Sequence, residues 1–538
     1  MKFHAAVARA LADNGVSVIF GLIGDANLYM MDSFVRDQGG RFISAANEAG
    51  AAVMALGYAS VSGRVGVATV THGPALTNTL TGLAEGVKAR LPIVLLCGDT
   101  AAEDRDGLQV IAQRELIVAT GAGFEQLGSP ATLTRDVATA LRRAVEERRP
   151  VALNVPVDFQ WLDVDYDPIL VRIPEMRGFV PAGDDMDNAI GIIAAAKRPV
   201  VVAGRGARGQ AARASILRLA QRIDAPVGST LKGNGLFRGE EFDLGTIGTL
   251  SRPATVDIVT QSDCLIFFGA SVSEHTVSHG SFLKGKRIIH CTIDPMDIGR
   301  NFPIDAGLVG DCGLVADAIV QWLDEAEIPP SGYRDAALRQ RLNEPRPVIE
   351  PNRGTDTRID LRKALARVDA AFPGDRIVVT DGGRFVRVAW DLIGAPDPAS
   401  FLYTVHFGSI GLGVAYAIGA ALAAPNRPIL LVAGDGGFML GGLVEFNTAV
   451  RHEVDLTVVI CNDGSYGAEH IQFRRRGMDP ALSTFEWPDF APIASALGGR
   501  GCTVRNDGDL EQALRTIEER DRPTLIDLKI DPEHVSEA

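Results

Sequence analysis

The chain has no basic surplus, no closely spaced cysteine pair and no apolar run of membrane-spanning length, and each absence removes a class of function. With 53 Lys and Arg against 67 Asp and Glu, the formal net charge of −14 leaves no positive excess to neutralise phosphates, which argues against a nucleic-acid partner. Arg474-Arg475-Arg476 is the one dense basic run of note. The six cysteines, Cys97, Cys264, Cys291, Cys312, Cys461 and Cys502, are scattered without a C-x-x-C spacing. Several fall inside apolar strand-like runs, so they read as buried thiols of a reducing compartment. No apolar stretch is long enough to cross a bilayer, so no membrane contact is expected. The opening MKFHAAVARALADNGV interleaves apolar residues with charge, which suits an amphipathic helix rather than a signal peptide, and the expected location is cytoplasmic.

What the chain does have is length and a regular alternation. Its 538 residues exceed one hydrophobic core, and 46% hydrophobic residues, 22% charged residues and 58 glycines suit a soluble α/β protein. Three blocks alternate strand-like and helix-like segments, with expected boundaries near 1–165, 185–328 and 356–530. Strands are expected at Val18-Phe20, Val65-Thr71, Ile93-Gly98 and Val151-Val155 in the first block. RPVVVAGRGARG, CLIFFGA and RIIHCTID mark the second block, and RIVVTDGG, PILLVAGDGG, LTVVICNDG and PTLIDLKI the third. The stretches WLDVDYDPILVRIPEMRGFVPAGDD and PPSGYRDAALRQRLNEPRPVIEPNRGTDT break both periodicities and read as linkers. The expected fold is three doubly wound parallel-sheet domains.

Chemistry concentrates in the third block. Asp435, in PILLVAGDGG, and Asp463, in TVVICNDGSYG, close two strand-like segments 28 positions apart. Parallel strands put such ends side by side, so both carboxylates can meet one hard cation, with Mg2+ expected, while a helix N-terminus beside them offers N–H groups to a diphosphate. Gly-Asp-Gly alone is also ordinary turn chemistry. Gly434-Asp435-Gly436 followed by Asn462-Asp463 resembles the thiamine diphosphate signature, in which the second residue of the later pair is an amide; here it is Asp463. The resemblance extends over nearly the whole chain, to the enzymes akin to pyruvate decarboxylase, benzoylformate decarboxylase, benzaldehyde lyase and acetolactate synthase.

That resemblance implies a pyrimidine-binding first domain, a central Rossmann-like domain and a diphosphate-binding third domain. It implies that Glu48, in ISAANEAGAAVMALGYAS, is the acid that exchanges a proton with the cofactor's pyrimidine, a role suited to a carboxyl amid small uncharged residues. Asn47-Glu48 also reads as a helix cap. Downstream, VGVATVTHGPALTNTLTGLAEGV resembles the pyrimidine domain and places Asn78 at the cofactor. HFGSIGLGVAYAIGAAL resembles the segment that bends the cofactor, with Gly408 and Ser409 close to the pyrimidine and Ile410 as the apolar wedge, although an isoleucine there also reads as core. Gly382, Gly383, Gly434, Gly436, Gly437, Ser465 and Tyr466 are expected around the diphosphate, with Asp435, Asp463 and the Ser465 carbonyl on the metal.

Asp25, before an apolar-periodic helix, reads either as an N-cap or, by its likeness to the decarboxylases, as a proton relay; Glu469 resembles their second catalytic acid and otherwise reads as a solvated first-turn residue. His72 and His470 are candidates to orient a substrate carbonyl, and His406 also falls on a segment expected to line the cavity. The decarboxylases' paired histidines are absent from GDTAAEDRDGLQVIAQREL, where Gln109 and Gln113 stand. Pro156-Val157-Asp158 lacks the lysine of acetolactate synthases. His275 and His279 share an i, i+4 spacing without a third metal ligand in view.

In the middle block, Gly204-Arg205-Gly206-Ala207-Arg208-Gly209 follows a strand as a dinucleotide fingerprint does, but no acid ends the next strand at the customary distance. GSTLKGNGLF and HCTIDPMDIGRN resemble the acetolactate synthase domain that takes FAD, whereas Gly269-Ala270-Ser271-Val272-Ser273 replaces its charged strand-end segment, so FAD is a doubtful option. The expected activity is decarboxylation of 2-oxo acids, carboligation, or both, through a C2 ylide and an enamine. An acetolactate synthase-like carboligase and a lyase or hydrolase cleaving an acyloin or diketone are the alternatives, and a non-catalytic cofactor-binding relative would be expected to lack Glu48 or the Gly-Asp-Gly turn. In this family the cofactor lies between subunits, so a homodimer or homotetramer is expected, with a 2-oxo acid and an aldehyde or ketone acceptor as small-molecule partners.

Overall fold

A computed structural model describes residues 1–101, 103–104, 106–173, 178–344 and 354–533. It contains three six-stranded parallel sheets flanked by helices. The first comprises β1 (Val18–Gly21), β2 (Arg41–Ser44), β3 (Gly66–Val70), β4 (Ile93–Asp99), β5 (Gly123–Gln126) and β6 (Val151–Pro156), in the order β2-β1-β3-β4-β6-β5. The second comprises β7 (Pro199–Ala203), β8 (Val227–Ser229), β9 (Asp243–Thr246), β10 (Cys264–Phe268), β11 (Arg287–Thr292) and β12 (Ala306–Val309), in the order β12-β11-β10-β7-β8-β9. The third comprises β13 (Ile377–Thr380), β14 (Phe401–Tyr403), β15 (Ile429–Gly434), β16 (Leu456–Asn462), β17 (Arg500–Val504) and β18 (Thr524–Lys529), in the order β14-β13-β15-β16-β18-β17.

The central strands are apolar from end to end because helices cover both faces: Ile93 to Gly98 of β4 and all of β16 are buried. The short β2 and β5 were not expected from sequence. β2 starts with the exposed Arg41 and β5 ends on the exposed Gln126, so neither shows an apolar run. The expected second linker also holds a helix, Ala336–Leu342, whose Leu338 and Leu342 are buried in the core of the second sheet. Residues 345–353 of that linker and 174–177 of the first lie outside the described residues.

The first and third sheets repeat one strand order, and in each the order reverses beside the first strand. Chain ends emerging at such a switch point diverge and leave a crevice. In the first sheet the switch lies between β1 and β3, and in the third between β13 and β15. Both sheets belong to one compact unit, Met1–Ile173, Asn352–Gly394 and Leu402–Ala538, while the second sheet belongs to another, Pro174–Pro351 with Ala395–Phe401. Inside the first unit the Glu48–Ser62 helix packs on the Gly413–Ala423 helix, and residues of both sheets share one core. Two glycines set the approach: a Cβ on Gly419 would stand 1.8 Å from the Met54 carbonyl oxygen, and one on Gly57 would stand 2.1 Å from that of Tyr416.

Candidate functional site

The switch point of the first sheet gathers the residues expected to handle protons. Asn27, buried, accepts the Gly24 N–H through Oδ1 and donates to the Leu22 carbonyl and the Thr69 hydroxyl, which fixes the turn carrying Asp25. Asn27, not Asp25, occupies the N-cap position of the Leu28–Arg36 helix. Asp25 Oδ1 accepts the Thr71 hydroxyl at 2.8 Å, and His72 Nδ1 lies 3.2 Å from the same hydroxyl oxygen. Since that hydroxyl has given its proton to Asp25, the imidazole N–H donates to it, forming a chain Asp25, Thr71, His72 across the switch point.

One strand over, Glu48 is the first residue of its helix. Asn47 caps that helix by accepting the Ala49 N–H at 2.8 Å, leaving the Glu48 carboxylate to accept the Asn78 amide at 3.0 Å. Gln113, at a position comparable to a decarboxylase histidine, is spent on structure. Its amide accepts the Gly73 N–H at 2.8 Å and donates to the Gly98 carbonyl at 2.9 Å.

The acids lie beside the third sheet's switch point, at the ends of β15 and β16. Gly434 of β15 pairs with Cys461 of β16, so Asp435 and Asp463 leave adjacent strand ends. Both are buried. Gly464, at φ +68, turns the chain so that its N–H reaches Asp435 Oδ2 at 2.9 Å, and the Ser465 N–H and hydroxyl both donate to Asp463 Oδ1. Burial first and the charge of Asp463 second lift Asp435 to about 7, and burial raises Asp463 as well. Such a pair suits a shared cation. Among the described residues no group of three His, Cys, Asp or Glu side chains stands ready to hold a metal, so these two carboxylates form an incomplete shell that backbone and phosphate oxygens would complete.

Around the acids lie the expected glycines. Tyr466 covers Gly436, where a Cβ would meet the ring at 2.6 Å, and the Tyr466 ring packs edge-on against Phe485. A Cβ on Gly382 would lie 3.1 Å from the Ile410 side chain, and one on Gly437 3.6 Å from Ile410 Cβ, so Gly382, Gly437 and Ile410 converge. Gly383 also lies between β13 and the next helix, while Gly408 is open on its Cβ side and Ser409 is half-buried. After the acid turn the helix widens into a π turn, Phe438–Gly442, with Gly411 against it. Local π turns are frequent at functional sites.

Sequence reasoning missed three buried acids. Asp381, which ends β13, accepts the Gly382 N–H and the Thr404 hydroxyl through Oδ1 and the Gly411 N–H through Oδ2. Glu85 and Glu445 likewise take backbone N–H groups from distant segments. Nothing in the local sequence of Glu85 and Glu445 distinguishes them from ordinary helix acids, whereas Asp381 directly follows β13.

Other candidates are held by contacts of their own or lie exposed. His470 is buried with Nε2 at 2.9 Å from Glu533 Oε1, and Arg474 also reaches Glu533, so the end of the described chain fastens onto this helix. His406, expected to line the cavity, is held by Glu85 and stacks on Tyr403. Glu469 stays exposed in the first turn of the Gly467–Arg475 helix. His275 and His279 pair only as rings 6.2 Å apart.

At the switch point of the second sheet the glycine-rich turn is closed by backbone. The Gly204 and Gly206 N–H groups donate to the Phe268 and Gly269 carbonyls, and a Cβ on Gly204 would stand 2.5 Å from Ala270 Cα. These N–H groups are not offered to a pyrophosphate, and the glycines are explained by this close contact.

Family models for thiamine pyrophosphate enzymes match in three parts: the N-terminal TPP binding domain over residues 1–119, the central domain over 186–319 and the C-terminal TPP binding domain over 381–528. The chain belongs to the thiamine pyrophosphate enzyme family. Among relatives of this thiamine pyrophosphate-dependent enzyme, a "Probable acetolactate synthase large subunit" of Methanocaldococcus jannaschii is 29% identical over 99% of this chain and 92% of its own. The sulfoacetaldehyde acetyltransferase of Alcaligenes xylosoxydans xylosoxydans is 29% identical over 93% of this chain and 88% of its own. A "Probable 2-ketoarginine decarboxylase" of Pseudomonas aeruginosa is 28% identical over 95% and 90%. The thiamine pyrophosphate-binding matches take in β1 to β4 of the first sheet and β14 to β17 with most of β18 of the third, and with them Asp25, Glu48, Asp435 and Asp463.

Proposed function

We propose that the protein is a thiamine diphosphate- and Mg2+-dependent enzyme that removes CO2 from 2-oxo acids and then either protonates the remaining fragment to an aldehyde or joins it to a second carbonyl. The observation that carries this reading is the buried pair Asp435 and Asp463 at the ends of β15 and β16, found in one chain with the Asn78-held Glu48. The names of the relatives, a synthase, an acetyltransferase and a decarboxylase, support a reaction at the carbon next to a carbonyl without choosing among its fates.

Bound thiamine diphosphate supplies a nucleophilic carbon and a sink for the electron pair that departing CO2 leaves behind. The chain's own residues do the rest. Glu48 would exchange a proton with pyrimidine N1′, and Asn78 holds its carboxylate in place. Ile410 would pack against the bound cofactor, with Gly408 and Ser409 letting backbone approach it. Asp435, Asp463 and the Ser465 carbonyl would hold the cation, while Gly382, Gly383, Gly434, Gly436 and Gly437 would leave room for the diphosphate and Tyr466 would shield it. Asp25 and Glu469 divide the proton transfers on the substrate side, with His72 reached through Thr71. His470 serves instead to hold the chain end through Glu533.

The same reading takes a homodimer as the minimum unit and a homotetramer as compatible with it. Leu440 and Val444, four residues apart beyond the Asp435 turn, are 64% and 50% exposed, an apolar face suited to a subunit contact. The six thiols, none in a disulfide, are in keeping with the cytoplasm. FAD is left out of the central domain because the glycine-rich turn is filled by its own backbone.

Proton NMR of the protein with thiamine diphosphate and Mg2+, supplied with pyruvate, benzoylformate and longer 2-oxo acids, with and without an acceptor aldehyde, tests the reading. Aldehyde or acyloin formed by the wild type and lost in Glu48→Gln supports it. Bound cofactor with no turnover of any 2-oxo acid overturns the substrate class and favours cleavage of an acyloin or diketone.

A further inference from the structure

Two buried glutamates, one from each half of the first compact unit, take hold of catalytic segments in the other half. Glu85 lies two turns beyond Asn78 on the Pro74–Ala89 helix and is fully buried. Its carboxylate accepts the His406 N–H at 3.1 Å and the Phe407 N–H at 2.6 Å, and lies 2.7 Å from His406 Nδ1. Glu445, 2% exposed on the Leu443–Arg451 helix, accepts the Ala46 N–H at 3.2 Å and the Asn47 N–H at 3.0 Å, directly before Glu48. The partners are 321 and 398 residues apart in sequence, so neither contact follows from local structure.

Burying a carboxylate is a costly way to stabilise a fold, and an apolar side chain of similar size would fill the space at least as well. What a carboxylate adds is direction, because it accepts several backbone N–H groups at fixed angles. The contacts also close a ring. Glu48 is held by Asn78, whose helix carries Glu85; Glu85 holds His406 and Phe407, whose loop continues to Ile410 and Gly411; Gly411 donates to Asp381 beside Gly437; and the helical run that starts at Asp435 leads to Glu445, which returns to the Glu48 turn.

We propose that Glu85 and Glu445 are reciprocal positioning residues, Glu85 setting the Ile410 loop and Glu445 setting the Glu48 turn, so that each half of the unit orders the segment that the other half brings to a cofactor site. This rests on the proposed cofactor chemistry for its functional consequence, but the clamps themselves are tested without it. Neither glutamate touches the reacting atoms in this scheme; each acts through backbone.

The experiment compares wild type, Glu85→Gln and Glu445→Gln by peptide-level hydrogen exchange, by thiamine diphosphate binding with Mg2+ and by exchange of the C2 proton of the bound cofactor. Glutamine keeps the volume but offers one acceptor oxygen. Glu85→Gln is expected to lose protection locally in the peptide spanning 403–411, and Glu445→Gln in the peptide spanning 45–50. C2 proton exchange should slow by about 10- to 100-fold in Glu445→Gln, the scale of an ångström-level misplacement, with substrate KM changed far less than kcat. Gly50→Ala gives a second approach to Glu445: its Cβ would stand 2.1 Å from Glu445 Oε1 and push the carboxylate off the turn without removing its charge. His406→Gln removes only the imidazole contact with Glu85 and keeps both backbone N–H donors, so its loss of protection in 403–411 is expected to be smaller than that of Glu85→Gln.

Local deprotection in the named peptides with slowed C2 exchange supports the proposal. Unchanged protection and exchange within about twofold of wild type, or a uniform loss of protection across the chain, overturns it. Failure of the wild type to bind thiamine diphosphate overturns the cofactor reading instead, and the hydrogen-exchange arm still decides whether the clamps exist.

Discussion

Asp435 stands beside Asp463 at the ends of two hydrogen-bonded parallel strands, and Gly464, the residue after Asp463, donates its N–H to Asp435. The family signature has an amide where Asp463 stands, so this chain carries an extra buried charge. Asp463→Asn keeps the Oδ1 acceptor used by the Ser465 N–H and hydroxyl but removes the repulsion. The metal-free variant is expected to melt higher than wild type, while its Mg2+ affinity, measured by calorimetry with thiamine diphosphate present, falls by about 10-fold. A metal-free melting temperature below that of wild type would show that the second acid is not a source of repulsion.

Thr71 joins Asp25 to His72 through one hydroxyl. Thr71→Val preserves the shape and breaks both hydrogen bonds. With a 2-oxo acid substrate, kcat is expected to fall by about 10- to 100-fold with a smaller change in KM, and the share of aldehyde among the products to fall if this chain delivers the final proton. Equal loss in Asp25→Asn and in the double variant would place Thr71 and Asp25 on one path. Additive losses would separate them.

Much of this architecture is legible in the sequence, because parallel strands buried on both faces leave uninterrupted apolar runs such as ILLVAG and LTVVICN, and because Asp435 and Asp463 close two of them. The strand order then brings the two acids together. The edge strands β2 and β5 escape notice since each is short and carries a polar, exposed residue at one end. Glu85 and Glu445 escape for a different reason: on a helix, an acid among apolar residues looks the same whether it faces water or a partner segment hundreds of positions away. Gln113 and His470 show the converse. Both have the side chains of catalytic groups, and tertiary packing uses them to tie Gly73 to Gly98 and to hold Glu533.

The two buried glutamates should answer pH in opposite senses. Burial alone would raise Glu85, but its hydrogen bond to His406, the His406 charge and the backbone N–H groups outweigh it and hold the carboxyl below the ordinary 4.5. Its contribution to stability is therefore full above 4.5 and lost as pH falls through its folded value. Burial dominates at Glu445 and raises it despite its hydrogen bonds. That contribution is full below the unfolded value and lost as pH rises through the folded one. In thermal melts across the acid range, the advantage of wild type over Glu85→Gln should shrink as pH falls below 4.5, whereas wild type should lose ground to Glu445→Gln as pH rises above it. Parallel pH dependence in the two variants would contradict these assignments.

The helix pair that joins the two halves of the first unit depends on the absence of two methyl groups. A Cβ on Gly419 or Gly57 would meet backbone carbonyl oxygen at 1.8 Å or 2.1 Å, and backbone cannot step aside as a flexible side chain can. Each Gly→Ala change is therefore expected to cost at least about 3 kcal/mol, the upper end of what overpacking usually costs. Because the Glu48–Ser62 helix carries the Glu48 turn at its start, the same variants should loosen the Glu445 contact with Ala46 and Asn47. Gly63→Ala, at a φ of +67 with no atom within 4 Å of its Cβ, is the control for backbone strain without helix contact. If Gly57→Ala and Gly419→Ala lower the melting temperature no more than Gly63→Ala does, close helix packing is not what joins the two halves.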